Sequence, residues 1–255
     1  MVQSPGMPRS KRQKVVHTSV TKKKGRELKD KVHVGVRREV DAHARCYVVT
    51  WRNQNNVAQK ELREVLKAGG HTLCLSKNAV VSVALGGGGK GAGKEYCKGL
   101  GAVASQLKGT RGLVFSDAGP EDVVGLLEGY AHASCARQGF RATETVVVPA
   151  GPLPQFDFSM EQQLRKLGLP TRLNKSVVEM LADHVVCVKG QPLTADQGRI
   201  LKLLEHRMAV FRIKCLGVWE KATGKYTVLG DADAFHAEEG GGDRFVDPDD
   251  MEEDV

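Results

Sequence analysis

The sequence predicts an α/β fold in which a larger domain is interrupted by a smaller α/β insertion, with a basic arm in front and an acidic, disordered tail behind. Three observations lead there. Short apolar, β-branched runs alternate with stretches of helical periodicity. Pro149, Pro152 and Pro154 crowd the middle of the chain, where glycines also mark the seams between elements. Charge is segregated: residues 1–40 carry 12 basic and 3 acidic side chains, residues 41–230 carry 25 and 16, and residues 231–255 carry 1 and 11. The boundaries that follow are 1–20 for the arm, 21–120 with 192–230 for the larger domain, 121–191 for the insertion and 231–255 for the tail.

At 255 residues and 41% hydrophobic content, the chain holds enough apolar material for a core, which excludes a wholly disordered protein. No apolar stretch approaches the ~18 residues that span a bilayer. The N-terminus has no apolar signal region, so neither membrane insertion nor classical secretion is expected. The six cysteines (46, 74, 97, 135, 187 and 215) form no Cys-x-x-Cys pair. They predict a reduced, intracellular chain with no metal site and no cofactor.

The elements follow in order. Leu28, Val32, Val36 and Val40 recur every fourth residue and lay one stripe along a helix from Thr21 to about Ala44, with Thr21 as its cap. Lys22, Lys23, Lys24, Arg26 and Lys29 crowd its first turns, where the helix dipole favours anions instead. A phosphate partner accounts for that placement better than stability does. Cys46–Trp51 reads as a strand covered on both faces. Gln54–Ala68 is a helix with Leu62, Val65 and Leu66 inward, stopped at Gly69-Gly70. Thr72–Leu75 is the second strand, Ala79–Leu85 and Lys94–Leu107 are helices, and Gly112–Phe115 is the third strand. Beyond Asp117-Ala118-Gly119-Pro120 come a helix from Val123 to Gln138, a strand at Thr145–Val148, a short helix around Met160–Leu167 and a strand at His184–Val188. Thr194 caps a helix from Ala195 to Arg207. Val210–Leu216 returns the chain to the main sheet, and Trp219–Leu229 forms an edge hairpin turning at Thr223-Gly224.

Enzyme motifs fail on inspection. Gly88 to Lys94 fits Gly-x-x-x-x-Gly-Lys, but Glu95 stands where magnesium needs a hydroxyl. The run of four glycines from Gly86 matches several glycine patterns by chance, so a loop between two helices is the expected reading. No Gly-x-Ser-x-Gly elbow and no His-Glu-x-x-His is present, and no catalytic residue is nominated.

Polar residues do recur at matching places. Arg52, Asn53 and Asn56 follow the first strand, Lys77 and Asn78 follow the second, and Lys22 to Lys24 open the helix that leads into the sheet. The carboxyl ends of strands are where α/β sheets bind ligands. Arg and Asn there, beside lysines, suit a phosphate backbone with some base or ribose contact. Asn53 and Asn78 also suit helix caps. The arm, with Lys11, Arg12 and Lys14, suits a polyanion, because each phosphate it neutralises releases counterions.

Met7–Val16 (MPRSKRQKVV), Thr21–Gly25, Trp51-Arg52-Asn53, Ser76-Lys77-Asn78, Phe158–Thr171, Gly190–Thr194 and Ile200–Leu204 resemble the mRNA turnover protein 4 family. This family comprises ribosome-assembly relatives of the stalk-base protein P-zero, itself of the large-subunit ribosomal protein L-ten family. The resemblance runs in order from about residue 7 to 230. It implies a ribosomal-RNA-binding domain interrupted by an insertion domain. The implied function is a non-catalytic place-holder on the stalk-base RNA of the nascent large subunit, later exchanged for P-zero. Implied partners are that RNA, the pre-ribosomal proteins around it and a release factor of the dual-specificity phosphatase type, with the chain monomeric outside the particle. The implied location is nucleolus and nucleus, with shuttling to the cytoplasm. By position, the RNA-facing residues are those of the arm, Lys22 to Lys24, Arg52, Asn53, Lys77 and Asn78. P-zero proteins carry stalk-binding helices and a Phe-rich acidic end that this sequence lacks, so a working stalk protein is the weaker expectation. A nucleotide-hydrolysing enzyme is weaker still.

Overall fold

A computed structural model of the chain describes residues 26–87 and 95–237. The first helix, α1 (Arg26–Ala42), buries Val36 and Val40 and leaves Leu28 exposed, so only the later half of the expected stripe docks. The expected cap Thr21 lies outside the described residues. Strand β1 (Arg45–Arg52) is buried at every position after Arg45. It is the centre of a sheet whose members are β2 (Thr72–Cys74), β3 (Arg111–Ser116), β10 (Ala209–Glu220) and β11 (Lys225–Val228), in the order β11-β10-β1-β3-β2. Every pairing is antiparallel.

Helices on both faces explain why β1 is apolar throughout. On one face α1, α3 (Asn78–Leu85) and α4 (Leu100–Gln106) enclose Cys46, Val48, Leu113, Phe115 and Trp219. On the other, α2 (Asn56–Ala68) and α5 (Pro120–Gly129) enclose Tyr47, Val49, Val114, Phe211 and Ile213. Each such side chain contributes about 1.5–3 kcal/mol when removed from water.

Several expected elements shift. In α2, Ala58 joins Leu62 and Leu66 in the core while Val65 stays exposed. Helix α4 starts at Leu100 instead of Lys94, because Gly99 sits at φ +84 and cannot continue a helix. The helix expected to reach Gln138 ends at Gly129. The chain then forms β4 (Ala131–Ser134) on the edge of β10, since an open edge offers more backbone hydrogen bonds than the weak helical bias of these residues supplies.

The second part has its own core, built around Phe140, Leu153, Leu164, Val178 and Val186. Strand β5 (Val146–Val148) pairs with β9 (His184–Cys187). A three-stranded sheet joins β6 (Gly151–Pro152), β8 (Val177–Met180) and β7 (Thr171–Asn174). The β7–β8 hairpin is absent from the sequence reading, because its turn residues Lys175 and Ser176 take positive φ without the Gly or Asn that announces such a turn. Helix α6 (Glu161–Lys166) matches the short helix expected there, and α7 (Ala195–Leu203) is capped by Thr194 in a reciprocal box with Gln197. Against the expected division at 121 and 192, α5 and β4 stay with the first sheet, and α7 contributes Ile200 and Leu201 to the second core.

The expected disorder from Asp231 onward is corrected for the first residues of that segment. Ala232–Ala237 forms α8, and Phe235 is only 5% exposed.

Candidate nucleic-acid interface

β1 and β2 both run antiparallel to the intervening β3, so they run parallel to each other and their carboxyl ends open at one end of the sheet. The starts of β3 and β10 lie at that same end. In β1, alternate side chains share a face, and Thr50 and Arg52 continue the series of Cys46 and Val48. Thr50 is paired with Arg111 on one side and Lys214 on the other, and Arg52 is paired with Arg212. Directly paired residues project to the same side. Arg52, Arg111, Arg212 and Lys214 therefore form a block of four cations on one face. Among the described residues no ion pair involves Arg111, Arg212 or Lys214. Arg212 is exposed, and Arg111 and Lys214 are half-buried.

The residues nominated from sequence gather at this end in different states. Asn56 is the exposed first residue of α2, and Lys77 is exposed at the cap position of α3 without a capping side-chain bond. Both helices thus turn their amino ends, with unpaired backbone N–H groups, towards the rim. Neither Asn53 nor Asn78 caps a helix. Asn55 caps α2, its side chain accepting the Val57 N–H. Asn53 sits at φ +55 and donates from Nδ2 to the Val210 carbonyl at 2.9 Å, tying the end of β1 to β10. Asn78 Nδ2 donates to the Gly109 carbonyl, holding α3 to the entry of β3.

Arg52 is 8% exposed and lies under α8. Its Nη1 donates to the Phe235 carbonyl at 2.8 Å, and its guanidinium stands 4.5 Å from the Phe235 ring centroid. Lys214 Nζ is 5.9 Å from the same ring. Thr50 Oγ1 donates to the Thr110 carbonyl and lies 3.0 Å from His236 Nε2. Lys11, Arg12, Lys14, Lys22, Lys23 and Lys24 lie outside the described residues. Arg111, Arg212 and Lys214 escaped the sequence reading, although the alternation Phe211-Arg212-Ile213-Lys214-Cys215 carries the period-2 signal of a basic strand face.

The glycine motif has the wrong surroundings for a phosphate loop. Gly88 to Lys94 lies outside the described residues, but helix α3 instead of a strand leads into it. Glu95 Oε2 accepts the Gly99 N–H at 3.0 Å, an anchoring role for the residue that stands in the hydroxyl position.

Two family patterns match the chain in succession. "Ribosomal protein L10" covers residues 24–132, and the insertion domain found in the 60S ribosomal protein of the same L10 series covers 136–205. The chain is 33% identical to the ribosome assembly factor mrt4 of Schizosaccharomyces pombe over 227 residues, 84% of this chain and 92% of that one. It is 31% identical to that of Neurospora crassa over 254 residues, 91% and 99% of the two chains. Similarity to the large ribosomal subunit protein uL10 of Pyrococcus horikoshii is 25% over 160 residues, 63% of this chain and 46% of the relative. With both patterns matched in order and the mrt4 relatives matched nearly end to end, the chain belongs to the mrt4 branch of the ribosomal protein L10 family.

Proposed function

We propose that the chain is a non-catalytic factor of large-subunit ribosome assembly that binds ribosomal RNA at the stalk base and holds that place until P-zero replaces it. The observation that carries this reading is the block of Arg52, Arg111, Arg212 and Lys214 on one face, rimmed by Lys77 and Asn56. Like charges set opposite each other across strands destabilise a sheet. A fold that keeps them gains only when an anion is present, and the amino ends of α2 and α3 add favourable dipoles for phosphate. The mrt4 names and the L10 match support a ribosomal setting for that anion. Lys22, Lys23 and Lys24 immediately precede α1 and extend the basic surface, with Lys11, Arg12 and Lys14 in the arm beyond them. In this reading the chain works in the nucleolus and nucleus, shuttles to the cytoplasm, and leaves the pre-ribosome with a dual-specificity-phosphatase-type release factor.

The test is binding to the stalk-base RNA fragment across a salt series. Affinity falls as salt rises, with a logarithmic slope of about 0.7–0.9 per phosphate neutralised. Joint replacement of Lys22, Lys23 and Lys24 by Glu abolishes binding. Unchanged affinity in that variant would sink the assignment.

A further inference from the structure

The basic face has an occupant within the same chain. Helix α8 lies over it: Phe235 is buried against Arg52 and near Lys214, its carbonyl accepts the Arg52 guanidinium, and His236 meets Thr50. The link from β11 is held down as well, since the Leu229 and Gly230 N–H groups both donate to the Leu216 carbonyl. Charge complementarity follows the contact. Residues 231–255 carry 11 acidic side chains against Arg244 alone, a net −10 that begins at the end of the sheet where the cations gather. Local stability gives no reason for a six-residue helix to settle there, because helices this short are marginal in water on their own. What holds it is one aromatic ring on a guanidinium, a contact of about 0.5–2 kcal/mol.

We propose that the C-terminal segment, α8 with the acidic residues 238–255 behind it, is an intramolecular clasp. It closes the basic end of the sheet and competes there with RNA. This rests on the RNA-binding reading above. The clasp mimics a polyanion: carboxylates screen Arg111, Arg212 and Lys214, while Phe235 covers Arg52. RNA binding then proceeds by exchange, with phosphates displacing carboxylates, so fewer counterions are released than the same cations would release when open. The clasp therefore weakens non-specific association and flattens its salt dependence. An RNA able to fill the whole face retains its advantage.

The experiment uses the full-length chain in three forms: unaltered, Phe235→Ser, and a tail-neutral form with every Asp and Glu from 238 to 255 changed to Asn or Gln. Two readouts are taken. The first is the rate at which an amine-reactive ester labels Lys214 without RNA, read by mass spectrometry. The second is affinity for the stalk-base RNA fragment and for an unrelated RNA hairpin at several salt concentrations. Expected are faster Lys214 labelling in both variants, three- to tenfold tighter binding of the unrelated hairpin, and a steeper salt slope than in the unaltered chain. Should Phe235→Ser disturb folding, the tail-neutral form, whose changes all lie beyond α8, still decides. Equal labelling and equal affinity across the three forms overturn the clasp. Faster labelling with no RNA binding by any form overturns the RNA-binding reading instead, and leaves the closure of the basic face standing.

Discussion

Asn53 donates its side-chain amide to the backbone carbonyl of Val210 at 2.9 Å while holding a φ of +55. The bond fastens the exit of β1 to the start of β10, on the end of the sheet that carries the cations. Asparagine tolerates this left-handed backbone and supplies the donor in one side chain. Replacement by alanine removes the donor and keeps the conformational penalty, and should lower stability by about 1–2 kcal/mol. Glycine loses the bond but relaxes the backbone, and should fall between the two. Urea unfolding of the three forms checks the order. Equal midpoints would show that Asn53 serves only a partner.

Arg212 faces Arg52 directly across the β1–β10 pair. Arg212→Ser should remove a like-charge contact and raise stability by about 0.2–1 kcal/mol. The same variant should bind the stalk-base RNA less tightly, with a salt slope reduced by about 0.7–0.9 if one phosphate contact is lost. A gain in stability coupled to a loss of binding marks a residue retained for its partner. Thermal melts and anisotropy titrations on one preparation measure both.

Gly99, at φ +84, brings the start of α4 against the β10–β11 turn, and a β-carbon there would stand 1.9 Å from the Gly224 carbonyl oxygen. The neighbouring Lys98 carbonyl accepts the indole N–H of Trp219, one of the largest fully buried side chains. Gly99→Ala should therefore destabilise by about 2–4 kcal/mol, through backbone strain and displacement of the turn. The loss should appear in the urea midpoint followed by tryptophan fluorescence.

Asp117 accepts the Ala44 N–H at 2.7 Å and lies beside His43, and these contacts hold its carboxyl below the ordinary aspartate value. A depressed folded-state value means that the contribution to stability is present above the ordinary value, about 3.9. It is lost as pH falls through the lowered one. Asp117→Asn should be less stable than the unaltered chain at neutral pH, and the two should converge on acidification. Unfolding free energies between about pH 7 and about pH 2.5 test the convergence.

Much of the fold was legible because burial imposes period on sequence. The doubly covered β1, the Thr194 cap with Gln197 three residues on, and the turn at Thr223-Gly224 all carry their cause within a few neighbouring residues. What was not legible depends on partners distant in the chain. Ala131–Ser134 has no strand signature and becomes β4 only because β10 offers an open edge. Asn53 and Asn78 look like caps until Val210 and Gly109 arrive as acceptors from 157 and 31 residues away.

The amino-acid order by itself determined the alternation of strands and helices, the segregation of charge and the family to which the chain belongs, since each is written in local period and composition. Only the tertiary structure decided which cations share a face and what lies over them. Antiparallel register sets Arg111, Arg212 and Lys214 beside β1, and a helix more than 180 residues downstream covers Arg52. Pairing and packing across such separations follow from the fit of whole surfaces, which no short stretch of sequence encodes.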